Sequence, residues 1–401
     1  MPRLEDAIAN LARNRSRWEK LVRSTPGAGW RRPPDSASDR LTEVHGFGSN
    51  PGALRMFKYV PANPEPALVV VLHGCTQSAE NYNLGAGWST LADRYGFALV
   101  LPQQQPSNNP NNCFNWFLPH HHEREKGEAL SIRQMVETMI LDHGIDRGRV
   151  FVNGLSAGGA MASVMLSTYP EIFAAGAVIA GLPYRTAKNV SEAFESMFQV
   201  RPRAASEWGD LVRAASPHRG PWPRLSVWHG SADTVVKPQN ADEIVKQWTD
   251  VHGLDCNPTL TETVDGYPRQ VWHNGAGDAV IESYTIPNMP HGTPLATGRS
   301  NEHCGVAGAF LLEVGISSSY HIAKFWGLTG HPRPARASSS VRALLPRKKQ
   351  NATTPATVRA PAAPTGAANL PAPIAPPRAR PTDVGAVITQ ALKAAGLWKL
   401  S

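Results

Sequence analysis

Residues 149–166 read Arg149-Val150-Phe151-Val152-Asn153-Gly154-Leu155-Ser156-Ala157-Gly158-Gly159-Ala160-Met161-Ala162-Ser163-Val164-Met165-Leu166, which is an apolar strand-like run, a glycine-flanked serine and a helix-forming run in immediate succession. Residues 154–158 match G-x-S-x-G, a pattern that is weak by itself and gains force from the strand before it and the helix after it. A serine at so tight a strand-to-helix turn takes a strained backbone. Small residues two positions before and after it let the chain pass close by while the hydroxyl points outward. Ser156 is therefore the candidate nucleophile; the competing reading is a tight turn holding a merely structural serine.

Outward from this stretch the same rhythm recurs. Residues 67–72, 97–102, 174–180, 224–229 and 279–286 are further short apolar runs, with a strand-like stretch at 55–59 before them. The run at 97–102 follows a helical stretch that ends at Gly96, and the run at 149–153 follows an amphipathic one marked by Ile132, Met135, Val136, Met139 and Ile140. Wholly apolar runs of strand length mark strands buried on both faces, and helix-sized intervals between them imply crossover connections. The pattern predicts an α/β fold with a mostly parallel central sheet and helices on both faces, its functional site at the carboxyl ends of the strands.

A serine hydroxyl is a poor nucleophile at neutral pH, so it needs a general base, and the base needs an orienting carboxylate. Both are expected after the serine in chain order, at the ends of later strands. Asp233 fits the carboxylate, in the turn Gly230-Ser231-Ala232-Asp233 just past the strand at 224–229; an ordinary turn aspartate is the alternative. His291 fits the base, in Pro287-Asn288-Met289-Pro290-His291-Gly292 after the last apolar strand. His303, its competitor, lies farther from the strand end. His229 and His273 fall within strands and read as core or edge histidines. The run His120-His121-His122 lacks the spaced partners a metal ion requires, so no metal site is expected. The oxyanion donors expected are the backbone N–H groups of Ala157 and of Cys75, the latter in Leu72-His73-Gly74-Cys75.

In this order, Leu72-His73-Gly74-Cys75-Thr76-Gln77, Asn112-Cys113-Phe114-Asn115-Trp116-Phe117, residues 154–159 and Pro290-His291-Gly292 resemble the poly(3-hydroxybutyrate) depolymerase family of esterases, which has feruloyl and acetylxylan esterase-like members. The resemblance spans about residues 45–328. It implies an α/β-hydrolase fold, a triad of Ser156, Asp233 and His291, hydrolysis of a hydroxyalkanoate-type ester or polyester through an acyl-enzyme, and no cofactor. It also implies that Cys75 and Cys113 lie close together, disulfide-bonded, which leaves Cys256 and Cys304 as the remaining pair. Four cysteines allow three pairings, and four reduced thiols are the alternative in a cytosolic chain. The resemblance points to an extracellular protein, whereas residues 1–24 lack the apolar block of a secretory signal, which reads as a cytoplasmic, granule-associated one. Trp116, Tyr82, Trp88 and Tyr184, around the strand ends, are candidate substrate contacts, with core or rim packing as the competing reading.

With 401 residues, 41% hydrophobic and 18% charged, the chain can bury a large core and is too apolar to be wholly disordered. No run is long and apolar enough for a transmembrane helix. The net charge of +8 belongs to the C-terminal end: residues 331–401 hold eleven Lys/Arg and one acid, a surplus of ten that leaves residues 1–330 at −2. Four segments are expected: an amphipathic helix and extended lead-in over 1–44, the catalytic domain over 45–328, a disordered Pro/Ala/Arg-rich basic linker over 329–381, and a short amphipathic helix over 382–401. Such a tail suits an anionic or apolar surface such as a storage granule, while its interleaved prolines and lack of aromatics over 331–397 argue against nucleic acid. A non-enzymatic scaffold that keeps a hydrolase shell is the reading from another class.

Overall fold

Residues 41–330, Arg201 and Arg299 excepted, are described by a computed structural model. The helix expected within 1–44, the basic linker beyond residue 330 and the terminal helix over 382–401 lie outside the described residues.

The chain enters through β1 (Thr42–Val44), β2 (Arg55–Tyr59) and β3 (Leu68–Leu72), then α1 (Ala79–Ala86), α2 (Trp88–Tyr95) and β4 (Ala98–Gln103). The short α3 (Pro119–His122) and the long α4 (Gly127–His143) lead to β5 (Val150–Leu155), α5 (Ala157–Thr168) and β6 (Ala175–Ile179). After α6 (Val190–Phe198) and α7 (Ala205–Arg213) come β7 (Arg224–Gly230) and α8 (Gln239–His252), then β8 (Leu260–Val264), β9 (Tyr267–His273) and β10 (Ala279–Ile286). A two-stranded ribbon of β11 (Thr293–Leu295) and β12 (Leu311–Glu313) precedes α9 (Ser318–Phe325).

Ten strands form one sheet in the order β1-β2-β4-β3-β5-β6-β7-β10-β9-β8. From β4 to β10 the six neighbours are parallel, and the pairs β1–β2, β2–β4, β10–β9 and β9–β8 at the two edges are antiparallel. The apolar runs read from sequence all lie in this sheet. The β8–β9 hairpin was not among them, and β1 places the sheet's first strand just ahead of residue 45.

Why the central runs carry no polar face is visible in β3. Leu68, Val70 and Leu72 pack with Ile132, Met135, Met161, Met165, Ile244 and Trp248 from α4, α5 and α8. Val69 and Val71, pointing the other way by the period-2 alternation of a strand, pack with Tyr82, Trp88, Leu91, Ile322 and Trp326 from the α1, α2 and α9 side. Each core is thus one face of the sheet plus its own helices. The carboxyl ends of β3, β5, β7 and β10 open on one rim.

Candidate active site

No loop separates β5 from α5; Ser156 alone makes the turn, at φ 56° and ψ −115°. A non-glycine residue at positive φ is strained, and it is held here by its surroundings. Its N–H donates to the Ile179 carbonyl at 2.9 Å. A Cβ on Gly158 would lie 2.2 Å from the Leu72 carbonyl oxygen, and one on Gly154 would lie 2.3 Å from the Gly158 backbone. The two glycines of the motif therefore let strand, turn and helix pack backbone to backbone. Ala157 is the first residue of α5, so its N–H has no partner within the helix and lies at the helix's positive end.

Asp233 and His291 come together because the loop after β10 folds back over the end of β7. Ser231 and Ala232 donate their N–H groups to the carbonyls of Ile286 and Met289, at 2.9 and 3.1 Å. A Cβ on Gly230 would meet the Met289 carbonyl oxygen at 2.2 Å. His291 Nδ1 lies 2.7 Å from Asp233 Oδ2. The other carboxylate oxygen, Oδ1, accepts the N–H groups of Val235 and Val236 at 2.8 and 2.9 Å, which fixes its orientation. His229 Nε2, 2.9 Å from the Val236 carbonyl and 3.2 Å from Asp233 Oδ2, is placed to share one proton between them. Burial would raise the Asp233 carboxyl. The charge of His291 and hydrogen bonds from His229 and His291 more than reverse this and hold it well below the usual carboxylate range. An ionised Asp233 makes Nδ1 of His291 the protonated ring nitrogen and leaves Nε2 as the basic one.

Ser156, His291, Leu155 and Phe310 share a small cleft with Gly74, Cys75 and Gln77 from the turn after β3. The cleft measures about 260 Å³ with its open mouth. Ser156 and His291, 7% and 8% exposed, both line it. The turn after β3 is tied on every side. Gly74 donates its N–H to the Gln77 side chain at 2.9 Å, Thr76 donates to the Asn111 carbonyl at 2.7 Å, and a disulfide joins Cys75 to Cys113. A strained alcohol, an imidazole oriented by a carboxylate and a rigid turn with backbone N–H groups are the parts needed for acyl transfer. Among the described residues no cluster of three or more His, Cys, Asp or Glu is arranged to hold a metal ion.

Three expectations need correction. Tyr82, Trp88, Tyr184 and Trp116 do not line the cleft: they are 0%, 0%, 2% and 6% exposed. Trp88 stacks on Trp326 at 5.9 Å, the Tyr82 hydroxyl meets Thr293 at 3.3 Å, and the Tyr184 hydroxyl donates to the His122 carbonyl at 3.2 Å. Cys256 and Cys304 do not pair. Cys256 is exposed beyond α8, whereas Cys304 is buried beside Ala86 and Ser317, and burial pushes its thiol up to about 11. His229 is more than a satisfied core histidine, since it faces Asp233. Its spacing of four from Asp233, across the end of a strand, was the signal available. Phe310, edge-on to His291 at 5.9 Å between ring centroids, was missed because the β11–β12 ribbon that delivers it follows no strong periodicity. His303 is outside the cleft lining, with its carbonyl accepting from Arg94 at 2.7 Å.

A family model described as esterase PHB depolymerase matches residues 58–260, just over half of the chain. The chain belongs to the esterase PHB depolymerase family. One relative is the poly(3-hydroxyalkanoate) depolymerase C of Paucimonas lemoignei, 48% identical over 293 residues that make up 72% of this chain and 70% of that protein. The acetylxylan esterase of Coprinopsis cinerea is 35% identical over 274 residues, 65% of this chain and 71% of that one. Among solved structures, an acetyl xylan esterase from Aspergillus awamori matches with a TM-score of 0.61 at 26% identity, covering 72% of this chain and 99% of the other. This member of the esterase PHB depolymerase family is a carboxylic ester hydrolase with the α/β-hydrolase fold that its sequence motifs imply.

Proposed function

We propose that this esterase hydrolyses hydroxyalkanoate esters, as short oligoesters or polyester chain ends, through an acyl-enzyme on Ser156. The observation that carries the substrate class is the 48% identity to a poly(3-hydroxyalkanoate) depolymerase over most of the described residues. Leu155 and Phe310 give the cleft an apolar wall of the kind a short aliphatic acyl unit packs against. In this reading His291 Nε2 takes the Ser156 proton as Oγ attacks the ester carbonyl, and Asp233 holds the ring and stabilises its charged form. The N–H groups of Ala157 and Cys75 receive the oxyanion. Collapse releases the alcohol with the proton from His291, and water repeats the sequence on the acyl-enzyme to release the acid.

A second reading, acetyl esters of a polysaccharide, draws on the fold match to an acetyl xylan esterase. Purified enzyme assayed on 3-hydroxybutyrate oligomers, acetylated xylan and p-nitrophenyl acyl esters separates the two. Hydroxybutyrate oligomers should give the highest kcat/KM, and a preference for acetylated xylan overturns the substrate assignment. In Ser156→Ala turnover of every ester should fall to background while the circular dichroism spectrum is kept; residual turnover near wild type removes Ser156 from the mechanism. The basic stretch at 331–401 is part of the proposal as an attachment to an anionic or apolar surface such as a polyester granule, supported by its eleven positive charges against one negative.

A further inference from the structure

Glu128 stands in the first turn of α4, where the helix end favours a negative charge, and its side chain is wholly buried. It takes no part in the cleft lining. Three N–H donors converge on it: Gln104 Nε2 at 2.6 Å and Asn115 Nδ2 at 2.7 Å on Oε1, and the Asn115 backbone N–H at 2.8 Å on Oε2. His121 Nδ1 lies at 3.6 Å. A buried carboxylate is costly to the fold and is tolerated only when its partners are complete.

One arm runs through Gln104. Its backbone N–H donates to His73 Nε2 at 3.1 Å, which leaves the ring proton on Nδ1 to reach the Gly74 carbonyl at 2.8 Å. Its side-chain amide also donates to the Cys113 carbonyl at 3.1 Å. The other arm runs through Asn115, whose Oδ1 accepts from Asn109 Nδ2 at 3.0 Å. Asn109 Oδ1 in turn holds the N–H groups of Asn111 and Cys113 at 3.0 and 3.3 Å. Asn111 accepts from Thr76, and Cys113 is bonded to Cys75. Both arms end on residues 74–76.

We infer that Glu128 is a positioning residue for the oxyanion side of the cleft, acting through Gln104–His73 and Asn115–Asn109 to fix the turn that presents the Cys75 N–H. This rests on the proposed acyl-transfer reading of the same cleft. A small misplacement of such a donor is enough to cost a large factor in rate. The role predicts a specific defect. Substrate binds about as before, and the transition state is stabilised less.

The test compares wild type, Glu128→Ala, Glu128→Gln and Asn109→Ala on a soluble p-nitrophenyl ester, with active sites counted by a fluorophosphonate and folding followed by thermal melting. In Glu128→Ala, kcat per titrated site should drop roughly 10- to 100-fold with KM nearly constant. Glu128→Gln keeps the Oε1 acceptor but turns an amide toward the Asn115 N–H, so its kcat should fall between the two. Asn109→Ala, which cuts only the outer arm, should lose a smaller factor of the same kind. A lowered melting temperature with unchanged kcat per site in Glu128→Ala makes the residue purely structural and overturns the inference. If Glu128→Ala does not fold, an unchanged kcat per site in Asn109→Ala overturns it. Ser156→Ala serves as the separate control: turnover surviving there defeats the Ser156 reading, whereas turnover lost there and unimpaired in the Glu128 variants defeats only the positioning role.

Discussion

At the scale of single residues, the site depends on groups whose charge state is set by burial and by neighbours. His73 is wholly buried, and this lowers its imidazole to about 4 despite the Gly74 carbonyl it faces. An unfolded chain binds that proton near the ordinary 6.5, the native one only near 4, so acidification across this window draws the protein toward unfolding and the contribution is complete above it. The urea midpoint of wild type should therefore fall as pH drops from 6.5 toward 4. In His73→Gln it should start lower and fall less steeply; an identical slope in the two proteins would discard His73 as the source. Ser156, Asp233 and His291, the proposed triad, could be put forward from sequence because each follows a strand end. The partners that set their environment could not, since Gln104, Asn109 and Glu128 are scattered polar residues whose convergence exists only in three dimensions.

Among elements, the β5–α5 turn was the most legible because its determinants are local: an apolar strand, small residues at 154 and 158, and a helix former run within eighteen residues. Gly158→Ala sets a methyl group against the Leu72 carbonyl oxygen, which backbone cannot evade. It should destabilise the protein by about 1–3 kcal/mol or more in urea denaturation and lower kcat with it; a stability equal to wild type would show that the turn has slack. The β8–β9 hairpin was harder to see. Asp265-Gly266 is a sound turn signal, but residues 260–270 alternate exposed and half-buried positions at a sheet edge instead of forming an apolar run. The aromatic residues misled for a related reason. Position near a strand end does not distinguish a ring that faces the rim from one that turns inward, and Trp88, Tyr82 and Tyr184 all turn inward.

For the whole molecule, the surplus of positive charge at residues 331–401 lets the proposed attachment be tested apart from catalysis. Removing residues 331–401 should leave kcat/KM on a soluble ester unchanged and reduce co-sedimentation with polyester particles; a truncated protein that sediments as well as the full chain would retire the tail from that role. The two-sided sheet was readable in outline from its apolar runs, yet what seals its second face was not, because α9 is short and only weakly patterned. Trp326, just past that helix, stacks on Phe151 at 5.0 Å and on Trp88 at 5.9 Å. The strand that feeds Ser156 is therefore covered by one of the last described parts of the chain. During translation that side of the strand lacks the last part of its aromatic cover until Trp326 has left the ribosome, and synthesis of residues 331–401 gives an interval in which this part can close.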